Sequence, residues 1–80
     1  MRYYKYVELT DDLQGMEIAV SEKQILDVFF GYWSGMMKKV GREELISEEN
    51  CIEDWVVINW AWEIGEEEFS RLQSGSGGGL

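Results

Sequence analysis

Histidine is absent from the sequence and cysteine occurs only once, and these two scarcities restrict the chemistry open to the chain. The lone Cys51 cannot form an internal disulfide or a thiolate metal cage, and no imidazole is present to activate it as a nucleophile. No Gly-rich phosphate loop opens a helix, because the glycine cluster follows the last expected element. We therefore predict that the protein is not an enzyme and that it binds neither a metal ion nor a cofactor.

Carboxylates are plentiful, but their spacing does not indicate a metal centre. The Asp-Asp pair in TDDLQG lacks the alternating ligands and the distal glutamate of an EF-hand loop. Paired carboxylates such as those of Glu53 and Asp54 could in principle serve hydrolysis with a divalent cation. Their position in an acid-rich segment is more typical of a solvated helix face.

Long apolar runs are also missing. No segment reaches the run of about 18 uncharged residues that would suggest a membrane span, and no signal-type apolar segment lies near Met1. We expect a cytoplasmic protein. A chain of 80 residues makes one domain at most, and a domain of that size buries only about 60% of the surface that its unfolded chain exposes.

Basic residues are few, and their distribution is uneven. The chain has 7 basic and 16 acidic residues, for a net charge of -9. The stretch from Met1 to Arg42 is neutral, whereas the stretch from Glu43 to Leu80 carries ten acidic residues and only Arg71. The negative electrostatic field of the second half repels phosphate backbones and anionic lipid. The charge therefore indicates either a basic protein partner or a solubility device.

The first residues predict a β-hairpin. Residues 2–9 are rich in aromatic and branched side chains, and residues 16–20 alternate between apolar and polar or small residues. Both patterns are typical of short strands. The intervening TDDLQG contains aspartates and a glycine that favour a turn.

The strongest helical pattern lies in residues 22–40. Ser21 and Gln24 fit a capping box, in which each side chain satisfies a backbone amide at the start of the helix. Apolar residues then recur at spacings of three and four, and Gly41 stands where a left-handed residue ends many helices. The residues that we assign to the core from this helix are Phe29, Trp33 and Met36.

The apolar stripe of this helix is wider than one face requires. Phe30 and Met37 lie at its shoulder and Tyr32 lies on the other side, so part of the stripe could be exposed or pair with a second chain. Gly31 and Gly35 share one face, which indicates close packing on the sheet or a kink.

A short helical turn over residues 48–54, capped by Ser47, is predicted next, with Cys51 as a small buried residue. Trp55 to Ile64 then favours a strand, because a helix would place Asn59 and Glu63 among its apolar residues. The face predicted to pack on the helix is Val56, Ile58, Trp60, Trp62 and Ile64. Three aromatic residues could equally serve the core or remain exposed: Trp55, Tyr4 and Tyr6.

The predicted fold is α+β, with a small antiparallel sheet of about three strands packed on one main helix in the order β-β-α-(short α)-β. Residues 1–73 would form a single domain. Residues 74–80 have the Gly/Ser composition of a flexible tail or linker.

The segments ISEENCIEDWVVINWAWEI and YWSGMMKKVG resemble small acidic proteins of unknown function encoded by bacteriophages. This resemblance implies a setting in the host cell cytoplasm and carries no activity. Small phage proteins of this size and charge are often stoichiometric inhibitors of host machinery, and some are nucleic-acid mimics that occupy the basic groove of a DNA-handling enzyme.

Together, charge and resemblance predict a non-enzymatic module that binds a basic protein surface and makes no direct contact with nucleic acid or membrane. The alternative is a self-associating structural or accessory protein whose helix and strand edge form a homodimer interface. The residues predicted to meet a partner are Glu48, Glu49, Glu53, Asp54, Trp55, Glu66, Glu67 and Glu68.

Overall fold

A computed structural model describes residues 1–12 and 14–78, with side chains to Gln73, and shows an α+β fold. Its strands are β1 (Tyr3–Leu9), β2 (Gly15–Ser21) and β3 (Trp62–Ile64). Its helices are α1 (Glu22–Lys39), α2 (Glu48–Asn59) and α3 (Glu66–Gly78), with a single 3-10 turn at Glu43–Leu45 between α1 and α2. The predicted fold class and element order are confirmed.

The predicted hairpin is present, and β1 is the central strand of the sheet. The antiparallel register of β1 and β2 runs from Tyr3 opposite Ser21 to Leu9 opposite Gly15. β3 lies on the other side of β1, also antiparallel, so the strand order is β2-β1-β3. Leu13 of the predicted turn lies outside the described residues.

The start of α1 follows from its capping box. The Ser21 hydroxyl accepts from the Gln24 backbone N–H at 3.2 Å, and the Gln24 side-chain oxygen accepts from the Ser21 N–H at 2.8 Å. Ile25 and Trp33 are fully buried. The prediction that Met36 belongs to the core is wrong, since Met36 is exposed. α1 as a whole packs more on α2 than on the sheet, and the Met36 side of the helix is left uncovered.

Half of the strand predicted at residues 55–64 is helix: residues 55–59 belong to α2, and only Trp62–Ile64 forms a strand. Ser47 caps α2 by accepting from the Asn50 N–H at 3.1 Å, and the helix continues to Asn59. The buried face of α2 is Cys51, Ile52 and Trp55. The alternation that suggested a strand is incidental: in the face predicted to be core, Ile58, Trp60 and Trp62 are exposed, Val56 is partly buried, and only Ile64 is buried.

Helices cover both faces of the sheet. On one side Trp55 of α2 lies edge-on to Tyr4 and Tyr6, with ring centroids 6.4 and 5.5 Å apart. Tyr4, Ile25, Ile52 and Trp55 form the main hydrophobic cluster there. On the other side Tyr3 stacks on Phe69 of α3 at 4.3 Å. Trp55 and Tyr4 therefore serve the core, and Tyr6 packs against it.

α3 begins at Glu66, inside the predicted domain of residues 1–73, and runs into the Gly/Ser segment. The Gln73 side-chain amide connects α3 to the sheet by donating a hydrogen bond to the Ala19 carbonyl of β2 at 2.9 Å. Its backbone includes residues 74–78 of the predicted tail, while Gly79 and Leu80 lie outside the described residues. None of the helices in the described part of the chain has the length and apolar character needed to cross a membrane.

Candidate protein-binding surface

Five of the predicted partner-binding residues lie on α2, and two of the four carboxylates among them already have partners within the fold. The Glu49 carboxylate accepts two hydrogen bonds from the Arg2 guanidinium, at 2.8 and 3.1 Å. Asp54 accepts from the indole Nε1 of buried Trp33 at 2.7 Å. Glu48 and Glu53 are exposed and form no ion pair among the described residues. Glu49 and Asp54 thus contribute to the fold.

Trp55 is not available to a partner. It is only 8% exposed and belongs to the main hydrophobic cluster. The prediction that it forms part of the contact surface is wrong, because α2 turns its indole toward the sheet, where a strand would have pointed it outward.

The three consecutive glutamates at the start of α3 also divide into two kinds. Glu68 accepts a 2.5 Å hydrogen bond from Lys5, whose ammonium lies 3.5 Å from Glu17 and 5.3 Å from the Trp62 ring centroid. This hydrogen bond is the main reason that the pKa of Lys5 is raised and that of Glu68 is lowered. Glu66 and Glu67 are exposed.

The acidic surplus of the second half therefore remains largely on the surface. Of its ten carboxylates, only those of Glu49 and Glu68 lie within 4.0 Å of a cationic side chain among the described residues. The other eight are Glu43, Glu44, Glu48, Glu53, Asp54, Glu63, Glu66 and Glu67. Asp54 contacts Trp33, and Glu48, Glu66 and Glu67 lie in the first turns of α2 and α3, where a negative charge complements the helix dipole. None of the eight is paired with a cation among the described residues.

Two of these free carboxylates flank a groove between α2 and the edge of the sheet, which we call the α2 groove. Its volume is about 470 Å³. It is lined by Arg2, Tyr4, Glu49, Ile52, Glu53, Val56, Val57 and Glu63. Glu53 belongs to α2 and Glu63 to β3, so acidic groups stand on both walls of a floor that is partly apolar.

A second hollow of about 400 Å³ continues from the α2 groove and is lined by Val56, Val57, Trp60 and Ala61. Val56 and Val57 line both spaces. Val56, which is partly buried, and Val57, which is 74% exposed, lie between the carboxylates and the indole, and we call this pair the valine floor.

Trp60 ends α2 in an uncommon way. Its N–H donates to the Val57 carbonyl at 3.3 Å, and the N–H of Ala61 donates to the Val56 carbonyl at 2.9 Å, which is a Schellman motif. The motif requires a left-handed residue, and Trp60 has φ 54° and ψ 38°. Glycine usually occupies this position, because a side chain there costs about 1–2 kcal/mol.

Sequence reasoning missed Trp60 by assigning it to the core. The indole is 87% exposed, the highest value among the large apolar residues described. The available signal was Asn59, a residue common at helix ends, which marks where the helical pattern stops.

Comparison of the chain with protein-family models, with curated proteins and with solved structures finds no match. The resemblance to small acidic phage proteins therefore stays a prediction. No group of three or more metal-ligating side chains that could hold an ion occurs among the residues described.

Proposed function

We propose that the chain is an acidic protein-binding module that docks on a basic surface of another protein. The observation that carries this proposal is the set of eight carboxylates in the second half that no described cation neutralises. Two of them, Glu53 and Glu63, flank an apolar groove. An apolar centre with a charged rim is the common arrangement of a protein interface.

The way in which the fold uses its cations supports the same proposal. Arg2, Lys5 and Lys23 are each held in ion pairs inside the molecule. These ion pairs neutralise only some of the carboxylates, and the other carboxylates remain unpaired on the surface. A surface of one sign steers an oppositely charged protein into encounter and repels nucleic acid, so the expected partner is a protein with a basic face.

The predicted resemblance to small acidic phage proteins suggests a setting for this proposal. A small acidic protein of this kind would act stoichiometrically, by covering the basic surface with which a host protein handles nucleic acid. No residue is assigned to such inhibition beyond the carboxylates and the α2 groove.

A matched pair of charge variants tests this proposal. Glu53→Lys/Glu63→Lys alters the α2 groove, whereas Asp11→Lys/Asp12→Lys alters exposed carboxylates at the hairpin turn. Both change the net charge from -9 to -5. We expect a partner captured from a bacterial lysate to be retained by the hairpin variant and lost by the groove variant. Raising the salt to about 0.5 M should release it from the unaltered protein. A partner that ignores both changes would contradict the proposal.

A second candidate function is self-association through α1. Val28 and Tyr32 are exposed on the side of α1 that faces away from the core, beside Gly31 and Gly35. An added Cβ at either glycine would meet nothing within 4 Å, so the packing of these glycines on the sheet, inferred from sequence, does not occur. Light scattering at tens of micromolar distinguishes the two functions, because a strict monomer removes self-association.

A further inference from the structure

We propose that Trp60 is the anchor of the protein-binding surface and that its indole stacks on an arginine of the partner while the valine floor receives a neighbouring aliphatic side chain. The expected partner element is therefore a basic segment in which arginine alternates with apolar residues. This inference rests on the function proposed above and specifies where and how the basic partner is held.

The first observation is that the fold has no evident use for an indole at position 60. Trp60 is almost fully exposed, so it contributes little to the core. Its backbone is left-handed, which glycine would adopt without strain. A bulky residue kept in such a conformation indicates a role other than stability, since strained positions concentrate at ligand-binding sites.

The second observation is the shape of the surface beside it. The hollow at Trp60 is lined by Val56, Val57 and Ala61. Through its two valines it continues into the α2 groove. The two shared valines, of which Val57 is 74% exposed, thus form an open apolar path from the indole toward Glu53 and Glu63. An aromatic anchor next to an apolar floor is the usual composition of an interface hot spot.

Charge complementarity selects the occupant. Arg2 also lines the α2 groove, but it is already paired with Glu22 and Glu49. Glu53 and Glu63 have no ion pair among the described residues, so the groove repels an approaching acidic segment. An arginine suits both ends of the path, because its planar guanidinium stacks on aromatic rings and pairs with carboxylates in a bidentate manner. Trp62 provides an internal parallel, since the ammonium of Lys5 lies 5.3 Å from its ring centroid.

The test is a titration of the full-length protein with defined peptides. The probe is a short blocked peptide of alternating arginine and leucine, compared with peptides in which lysine or glutamine replaces arginine. Binding is followed through the tryptophan indole N–H resonances, and Trp60→Gly identifies the resonance of Trp60. We expect this resonance to shift most with the arginine peptide, less with the lysine peptide and not with the glutamine peptide.

Trp60→Gly should lower the affinity for the arginine peptide about 5- to 30-fold, as expected for loss of a desolvated cation–aromatic contact. It should also reduce the difference between the arginine and lysine peptides. The same variant should raise the melting temperature by about 4–8 °C, because relief of the left-handed strain outweighs the greater entropy of glycine in the unfolded chain. Weaker binding by a more stable protein cannot be attributed to unfolding. Tyr32→Ser is the matched control, since it removes an exposed aromatic that lines neither hollow and should leave affinity unchanged.

The outcomes separate this inference from the proposed function. If Trp60→Gly binds the arginine peptide as the unaltered protein does, while Glu53→Lys/Glu63→Lys loses it, the anchor is refuted and the acidic binding surface stands. If the groove variant binds as well as the hairpin variant, the proposed function fails. Absence of any binding by the arginine peptide would overturn the inference.

Discussion

Asp54 offers the sharpest test of the structure, because the sequence suggests a surface role and the fold gives it a structural one. Its carboxylate accepts from the indole Nε1 of Trp33 at 2.7 Å, and Trp33 is only 1% exposed. Asp54→Ala removes this acceptor and leaves the indole N–H facing a small hollow between α1 and α2. We expect a clear loss of stability.

The magnitude follows from the setting of the hydrogen bond. A hydrogen bond to a charged acceptor contributes about 1.5–3 kcal/mol. Asp54 is itself exposed, so water can partly replace it, and we take the lower end of about 1.5 kcal/mol. For a domain of this size each kcal/mol shifts the melting temperature by about 4–8 °C, which gives an expected fall of about 6–12 °C.

The assay is urea and thermal unfolding followed by circular dichroism, with the neighbouring Glu53→Ala as control. Glu53 is exposed and has no described hydrogen bond, so its truncation should change the free energy of unfolding by less than about 0.5 kcal/mol. Asp54→Asn keeps a neutral acceptor and should lie between the two. Equal stability of Asp54→Ala and Glu53→Ala would refute the structural role of Asp54.

Two further predictions concern the stability contributed by α2 and the loss of stability at acid pH. Ile52→Ala should cost about 2–5 kcal/mol in unfolding free energy and Ile58→Ala less than about 0.5 kcal/mol, because Ile52 is 2% exposed and Ile58 is 61% exposed. Both values are measured by urea unfolding, and the reverse order would restore the strand assignment. Hydrogen bonds from the Arg2 backbone amide, and then from its side chain, lower the pKa of Glu22 below its usual 4.5. The stability gained is complete above pH 4.5 and is lost as pH falls through the folded pKa. Unfolding curves measured from neutral to acid pH should therefore show a smaller acid-side loss for Glu22→Gln, whereas an unchanged profile would exclude this contribution.

The hairpin and α1 could be predicted from sequence because their signals are local. Ser21 and Gln24 form the capping box within four residues, and the hairpin alternation is decided by neighbouring side chains. In both elements local preference and tertiary packing agree.

The strand prediction for residues 55–64 is wrong over residues 55–59 because local preference and tertiary packing disagree there. Valine, isoleucine and tryptophan favour strands, and their alternation from Val56 to Ile64 reinforces that preference. The cap at Ser47 and the burial of Trp55 against Tyr4 and Tyr6 override it in favour of a helix. Trp55 is buried against β1, which lies about fifty positions earlier in the chain, and the residues around Trp55 carry no sequence pattern that indicates this contact.

The candidate site could likewise be predicted only in part from the sequence. The acidic character of the second half is evident from composition, but which carboxylates remain free depends on distant partners. Lys5 and Glu68 are 63 positions apart, and Arg2 and Glu49 are 47 apart. The α2 groove and the left-handed Trp60 appear only when α2 is placed beside the sheet.

The most direct test of the functional account is the affinity of the arginine–leucine peptide for the two variants of equal net charge. Binding retained by Asp11→Lys/Asp12→Lys and lost by Glu53→Lys/Glu63→Lys is the predicted result. Equal affinity of the two variants would show that the position of the altered carboxylates does not matter, and would contradict a binding surface at the α2 groove.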